Sequence, residues 1–182
     1  MAASGWIRKW MGARTAEDHA SALVRAAAGG DSLDLLLDLG VQALLAAADA
    51  DRAGLWLAGD RRGESGRGRV VEASPGPIPE QWKHLDISTP FLRSALESSE
   101  PLQIEIGDSR AIPHLGPLVG MRTAIWIPLR TRNHTFALAM VAHARHGAHP
   151  DLEMLHARAD EIALAISHQR DSRQMELASE EI

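Results

Sequence analysis

Between Gly120 and Ile166 the chain carries two alternating runs, a short polar turn between them and a long amphipathic stretch after them, and few folds accept that order. The first run, Arg122-Thr-Ala-Ile-Trp-Ile-Pro-Leu-Arg130, alternates two sets of residues, as a strand does when different layers cover its two faces. Residues 131 to 134, Thr-Arg-Asn-His, supply the turn, and Thr135 to His143 the second run. Pro150 then opens a helix in which Leu152, Leu155, Ala159, Ile162 and Ile166 recur at spacings of three and four.

Upstream, Ala16 to Ala28 reads as a short helix stopped at Gly29-Gly30. Asp31 or Ser32 caps the next, Leu33 to Ala48, whose apolar stripe runs through Leu36, Leu37, Val41, Leu44 and Leu45. Ala53 to Leu57 and Arg69 to Ala73 read as two strands around a mobile hairpin loop at 59–68. That glycine-rich loop makes a poor phosphate cradle, because no helix N-terminus follows it. Ser74-Pro-Gly-Pro-Ile-Pro79 breaks regular structure, and Trp82 follows in a short turn. Pro90 to Glu97 forms a helix with Phe91, Leu92, Ala95 and Leu96 turned inward, and Leu102 to Ile106 is a strand. Pro113, Gly116 and Pro117 then interrupt the stretch 109–119.

The strand ending in Ile127-Pro-Leu129, the small-residue strand Ala137-Leu-Ala-Met-Val141 and the helix carrying Ala163-Leu-Ala-Ile166 together resemble the C-terminal half of a GAF domain, the small sensory module of signalling proteins such as bacterial sensor histidine kinases. The resemblance extends over about residues 31–168. It implies an α+β fold: a central antiparallel sheet of five or six strands, long N- and C-terminal helices on one face, and irregular segments from 74–119 covering a ligand on the other. The expected division is a helical extension at 1–30, the sensory domain at 31–168, and the start of a signalling helix or linker at 169–182.

Composition removes several functions. A length of 182 residues at 45% hydrophobic suits one domain with a core and some helical overhang. A net charge of −5 leaves no concentrated basic surface for a nucleic-acid backbone. No apolar run reaches the roughly 18 to 20 residues that span a bilayer, and the start lacks a signal-peptide core, so the chain is expected in the cytoplasm. With no cysteine there is no disulfide and no thiolate metal site. Two chemistries of the family, thioether-linked bilins and methionine sulfoxide reduction, need cysteine and fall with it.

If the terminal helices share one sheet face, the period of two turns Thr123, Ile125, Ile127 and Leu129 toward them and Arg122, Ala124 and Trp126 away. Small Ala137, Ala139 and Val141 suit helix packing, which leaves Phe136, Leu138 and Met140 for the covered side. The candidate pocket is therefore lined by Trp82, Phe91, Leu92, Trp126, Leu138 and Met140, with Arg122 as its charged group. It suits a flat or apolar molecule bearing an anion, since a guanidinium pairs bidentately with carboxylate or phosphate. The competing possibility is that these side chains only fill a core.

Other ligands fit less well. Cyclic-nucleotide-binding members of the family carry an Asn-Lys-Phe-Asp-Glu signature, whereas the single asparagine here is Asn133, in a turn. Haem-binding members place a histidine just before the strand bearing Met121-Arg-Thr123. His114 is the nearest, and Leu118 stands closer to the expected position. His143, His146, His149, Asp151 and His156 form a donor-rich stretch for zinc or nickel, but Gly147 and Pro150 favour a solvated loop. Ser65 lacks the strand-turn-helix setting of a hydrolase nucleophile.

At the two ends, Trp6, Ile7, Trp10 and Met11 line one side of a basic segment suited to a membrane surface, a partner helix or the domain itself. The C-terminal helix, run to Ala178, would measure roughly 43 Å. Its seam turns polar at Gln169, Arg173 and Glu176, which makes sense if a partner copy or an effector continues it. A sensory segment cut from a longer protein fits this ending, and a complete chain of this length fits it too. The expected function is a non-enzymatic sensor that binds a small molecule and signals through dimerised C-terminal helices to an effector such as a histidine kinase. Its rivals are a scaffold with a filled core and a haem- or metal-binding redox sensor.

Overall fold

A computed structural model describes residues 15–58, 66–74, 76–86, 89–106, 116–131, 134–145 and 147–180. Trp6, Trp10, His114 and His146 lie outside the described residues. Helix α1, Ala16–Ala28, begins in a capping box in which Thr15 and Asp18 satisfy each other's amides. It ends where Gly30 takes φ +72° and Asp31 N–H donates to Ala26 O at 3.0 Å. Ser32 caps α2, Leu33–Ala47, by accepting from the Leu35 amide at 3.3 Å.

Among the described residues, six antiparallel strands form one sheet in the order β3-β2-β1-β6-β5-β4. They are β1 Arg52–Leu57, β2 Gly66–Glu72, β3 His84–Leu85, β4 Leu102–Glu105, β5 Thr123–Arg130 and β6 Thr135–His143. Helix α3, Pro90–Glu97, precedes β4, and α4 runs from Leu152 to Glu180. Two core clusters lie on the two faces. On one, Ile125, Ile127, Leu129, Ala139 and Val141 pack with Leu36, Leu37, Val41 and Leu44 of α2 and Leu155, Ile162 and Ile166 of α4. Leu23, Ala26 and Ala27 place α1 in this same core. On the other face, Trp56, Ala124, Trp126, Leu138 and Met140 meet α3 and the irregular segments.

The alternation across β5 is as its sequence predicts, and three local expectations are corrected. First, α4 begins at Leu152, not Pro150: Asp151 caps it, its carboxylate accepting from Met154 N at 3.1 Å and its carbonyl from Leu155 N at 3.0 Å. Second, β2 starts three residues before Arg69, because Gly66 pairs with Leu85 and Gly68 lies opposite Trp56. Third, Phe136 packs on the helix side rather than the covered side. Leu129 pairs with Ala137 and Arg130 with Thr135, so Phe136 is the extra residue of a β-bulge, and the bulge resets the alternation at that point.

Candidate functional site

The covered face is built in cross-strand rows. Gly54 stands between Val70 and Met140, and Trp56 between Gly68 and Leu138. Trp126 pairs with Met140 on one side and Leu102 on the other. Trp56 can lie along this face because Gly54 and Gly68 have no Cβ, and one built on either would overlap its indole. Its ring stacks on that of Trp126 at 5.9 Å between centroids, and Phe91 meets Trp126 edge-on at 6.0 Å.

Of the residues expected to line a pocket, Leu92, Trp126, Leu138 and Met140 are fully buried in this cluster, with Trp82 and Phe91 half-buried against it. Arg122 is different: its side chain is exposed, although its backbone joins β5 to β6 by donating to His143 O at 2.7 Å. The period of two places it on the correct side, but it precedes β5 and extends beyond the packed row.

The charge that enters the covered side is Arg52, at the start of β1. Its side chain is 7% exposed. Nε donates to Glu72 Oε1 at 2.7 Å and Nη2 donates to the same oxygen. Nη1 donates to the carbonyls of Pro117 at 2.6 Å and Val119 at 2.9 Å. The guanidinium also sits 4.3 Å over the Trp82 ring. Arg52 is thus neutralised by a carboxylate and by main-chain oxygens, and it has little left to offer an anionic ligand. The available signal was the spacing Arg52-x-Gly54-x-Trp56, which places all three on one strand face.

Two buried polar atoms in this region have different environments. Trp56 Nε1 donates to Trp82 O at 2.9 Å. Trp126 Nε1 is buried and has no hydrogen-bond partner among the described residues. An indole N–H is a donor only, so this atom stands ready for an acceptor.

His143, counted above among possible metal donors, turns inward at 2% exposure, with Nε2 3.1 Å from Ala48 O. Among the described residues no three histidine, aspartate or glutamate side chains cluster as a metal site. None of the described helices is long and apolar enough to cross a membrane. Phe136 instead walls an open groove of about 750 Å³ between the β5–β6 turn and α4, together with Arg130, Leu164 and Arg170.

One antiparallel sheet with terminal helices on one face and an aromatic face beneath irregular segments defines a two-faced α+β module. The sequence profile of the GAF domain family matches residues 32–166, and the chain belongs to that family. A domain described as part of a two-component sensor histidine kinase of Sinorhizobium meliloti 1021 superposes with a TM-score of 0.61 at 18% identity, over 80% of this chain and 98% of that one. The GAF domain of an Acinetobacter phosphoenolpyruvate-protein phosphotransferase gives 0.65 at 14% identity, over 85% and 93%. The phycoerythrobilin-bound GAF domain of a cyanobacterial phytochrome gives 0.63 at 14%, over 88% and 98%. Identities this low speak for the fold alone. No curated protein sequence matches the chain.

Proposed function

We propose that this GAF domain is a non-enzymatic, cytoplasmic sensor in a bacterial signalling protein. It binds a small planar molecule on the Trp56–Trp126 face and signals through α4, paired with a second copy, to an effector such as a histidine kinase. The supporting observation is the buried Nε1 of Trp126, which has no hydrogen-bond partner among the described residues and lies within an aromatic cluster. A buried polar group without a partner costs about 1–3 kcal/mol, which an acceptor on a ligand would recover. With Arg122 exposed and Arg52 already paired to Glu72, the preferred ligand is uncharged and carries a carbonyl or ring-nitrogen acceptor.

A second reading is the dimerisation scaffold. Trp56, Trp126, Leu92, Leu138 and Met140 all stand at 0% exposure, as a filled core requires. Native mass spectrometry of protein purified from its own host separates the two, with Trp126→Phe run beside it. The sensor reading expects a mass excess that denaturation releases and that Trp126→Phe loses while staying folded. Bare dimers from both proteins would favour the scaffold.

A further inference from the structure

Two irregular segments on the covered face meet at one point. The first contains the single-turn 3-10 helix Glu80–Lys83, and the second the 3-10 turn Gly116–Leu118. Arg52 joins both to the sheet: its guanidinium lies on the Trp82 ring of the first and donates to the Pro117 and Val119 carbonyls of the second. Glu72, paired with Arg52 across β1 and β2, fixes the other edge of the guanidinium. The segments also touch each other directly, since a Cβ on Gly116 would come within 2.5 Å of Trp82 Nε1. Trp82 is further held by its carbonyl, which accepts from Trp56 Nε1.

We infer that Arg52 is a positioning residue that fastens the two turns, 80–83 and 116–118, into a single cooperative unit, so that they leave the sheet together. The reasoning is one of shared contacts. The turn at 116–118 holds itself by Val119 N–H to Gly116 O at 3.1 Å and Met121 N–H to Leu118 O at 3.0 Å, and the turn at 80–83 holds itself by Trp82 N–H to Pro79 O at 2.9 Å. Such short turns have little stability of their own. Lifting 116–119 would strip Arg52 Nη1 of both acceptors at 7% exposure, and lifting Trp82 would bare the guanidinium face. Either movement alone leaves a desolvated charge without its partners, so the second follows the first. Arginine suits this role because its planar fork donates in several directions while its face stacks, which a lysine ammonium does not reproduce. The inference stands whether or not a ligand lies beneath the unit.

Native-state hydrogen exchange resolved by peptide tests it, on Arg52→Met and separately on Val119→Gly. Arg52→Met is expected to speed exchange roughly tenfold or more at both 79–83 and 116–121, with β5 and β6 unchanged, because it removes hydrogen bonds made by a charged donor. Val119→Gly loosens the backbone of the second turn alone, because the Val119 side chain is exposed, and it leaves Arg52 and Trp82 untouched. It is expected to speed exchange at Trp82 as well, and if Arg52→Met fails to fold this variant decides alone. Acceleration confined to 116–121 in Val119→Gly overturns the single unit. Equal acceleration throughout the domain in Arg52→Met overturns the assignment of Arg52, since it would then support the whole fold rather than these two turns.

Discussion

The indole of Trp56 occupies the space that a side chain at Gly54, two residues earlier on β1, would need. Trp56 is fully buried and stacked on Trp126, so it cannot swing aside. Gly54→Ala therefore forces either the ring or the strand to move. Overpacking of this kind costs about 1–3 kcal/mol. The expected result is a midpoint lowered by several degrees in a thermal melt, together with altered tryptophan fluorescence. An unchanged melt would mean that the indole has room the packing does not show.

Ile162 and Leu164 stand two residues apart on α4 and face opposite ways. Ile162 is fully buried, its Cγ2 3.2 Å from where a Cβ on Gly40 would sit, whereas Leu164 is 72% exposed. Ile162→Ala should cost about 2–5 kcal/mol in denaturant unfolding. Leu164→Ala should stay within about 0.5 kcal/mol when unfolding is measured at a concentration too low for association. If α4 pairs with a second copy, Leu164→Asp should lower the association measured by sedimentation while leaving the monomer folded.

Thr123 Oγ1 is buried without a hydrogen-bond partner among the described residues. Thr123→Val exchanges that hydroxyl for a methyl of similar size. Because an unsatisfied buried polar group is costly, the variant should equal or exceed the parent by up to about 1 kcal/mol in chemical denaturation. A clear loss would reveal a partner for the hydroxyl.

Glu80 is held below its usual pKa of 4.5, chiefly by the hydrogen bond from Lys83 Nζ. A carboxyl depressed in the folded state adds stability above its unfolded pKa and loses it as pH falls through the lower folded value. The pair is solvent-exposed, so its effect on overall stability is small. Lys83→Ala should move the Glu80 carboxyl titration seen by NMR upward toward 4.5. No movement would mean that the ion pair does not persist in solution.

Local patterning made most of the fold legible. The spacing of Leu155, Ile162 and Ile166 marked the face of α4 that is buried, and the alternation of Ile125, Trp126 and Ile127 marked two opposite layers. Helix α3 and strand β6 begin and end where their residues indicated. Period and propensity act between near neighbours in the chain, so a sequence displays them directly.

What lay hidden depends on partners far along the chain. Phe136 changes face because of how β6 registers against Arg130, and no property of Phe136 itself announces a bulge. Exposure separated the two arginines: Arg122 and Arg52 are equivalent as letters, but only Arg52 meets Glu72, Pro117, Val119 and Trp82. The chain by itself determined the layers, the periodic faces and the absence of cysteine chemistry. Only the tertiary structure decided which charge is buried, which tryptophan fills the sheet and which indole N–H has no acceptor among the described residues, because those outcomes follow from contacts between segments that the chain brings together only on folding.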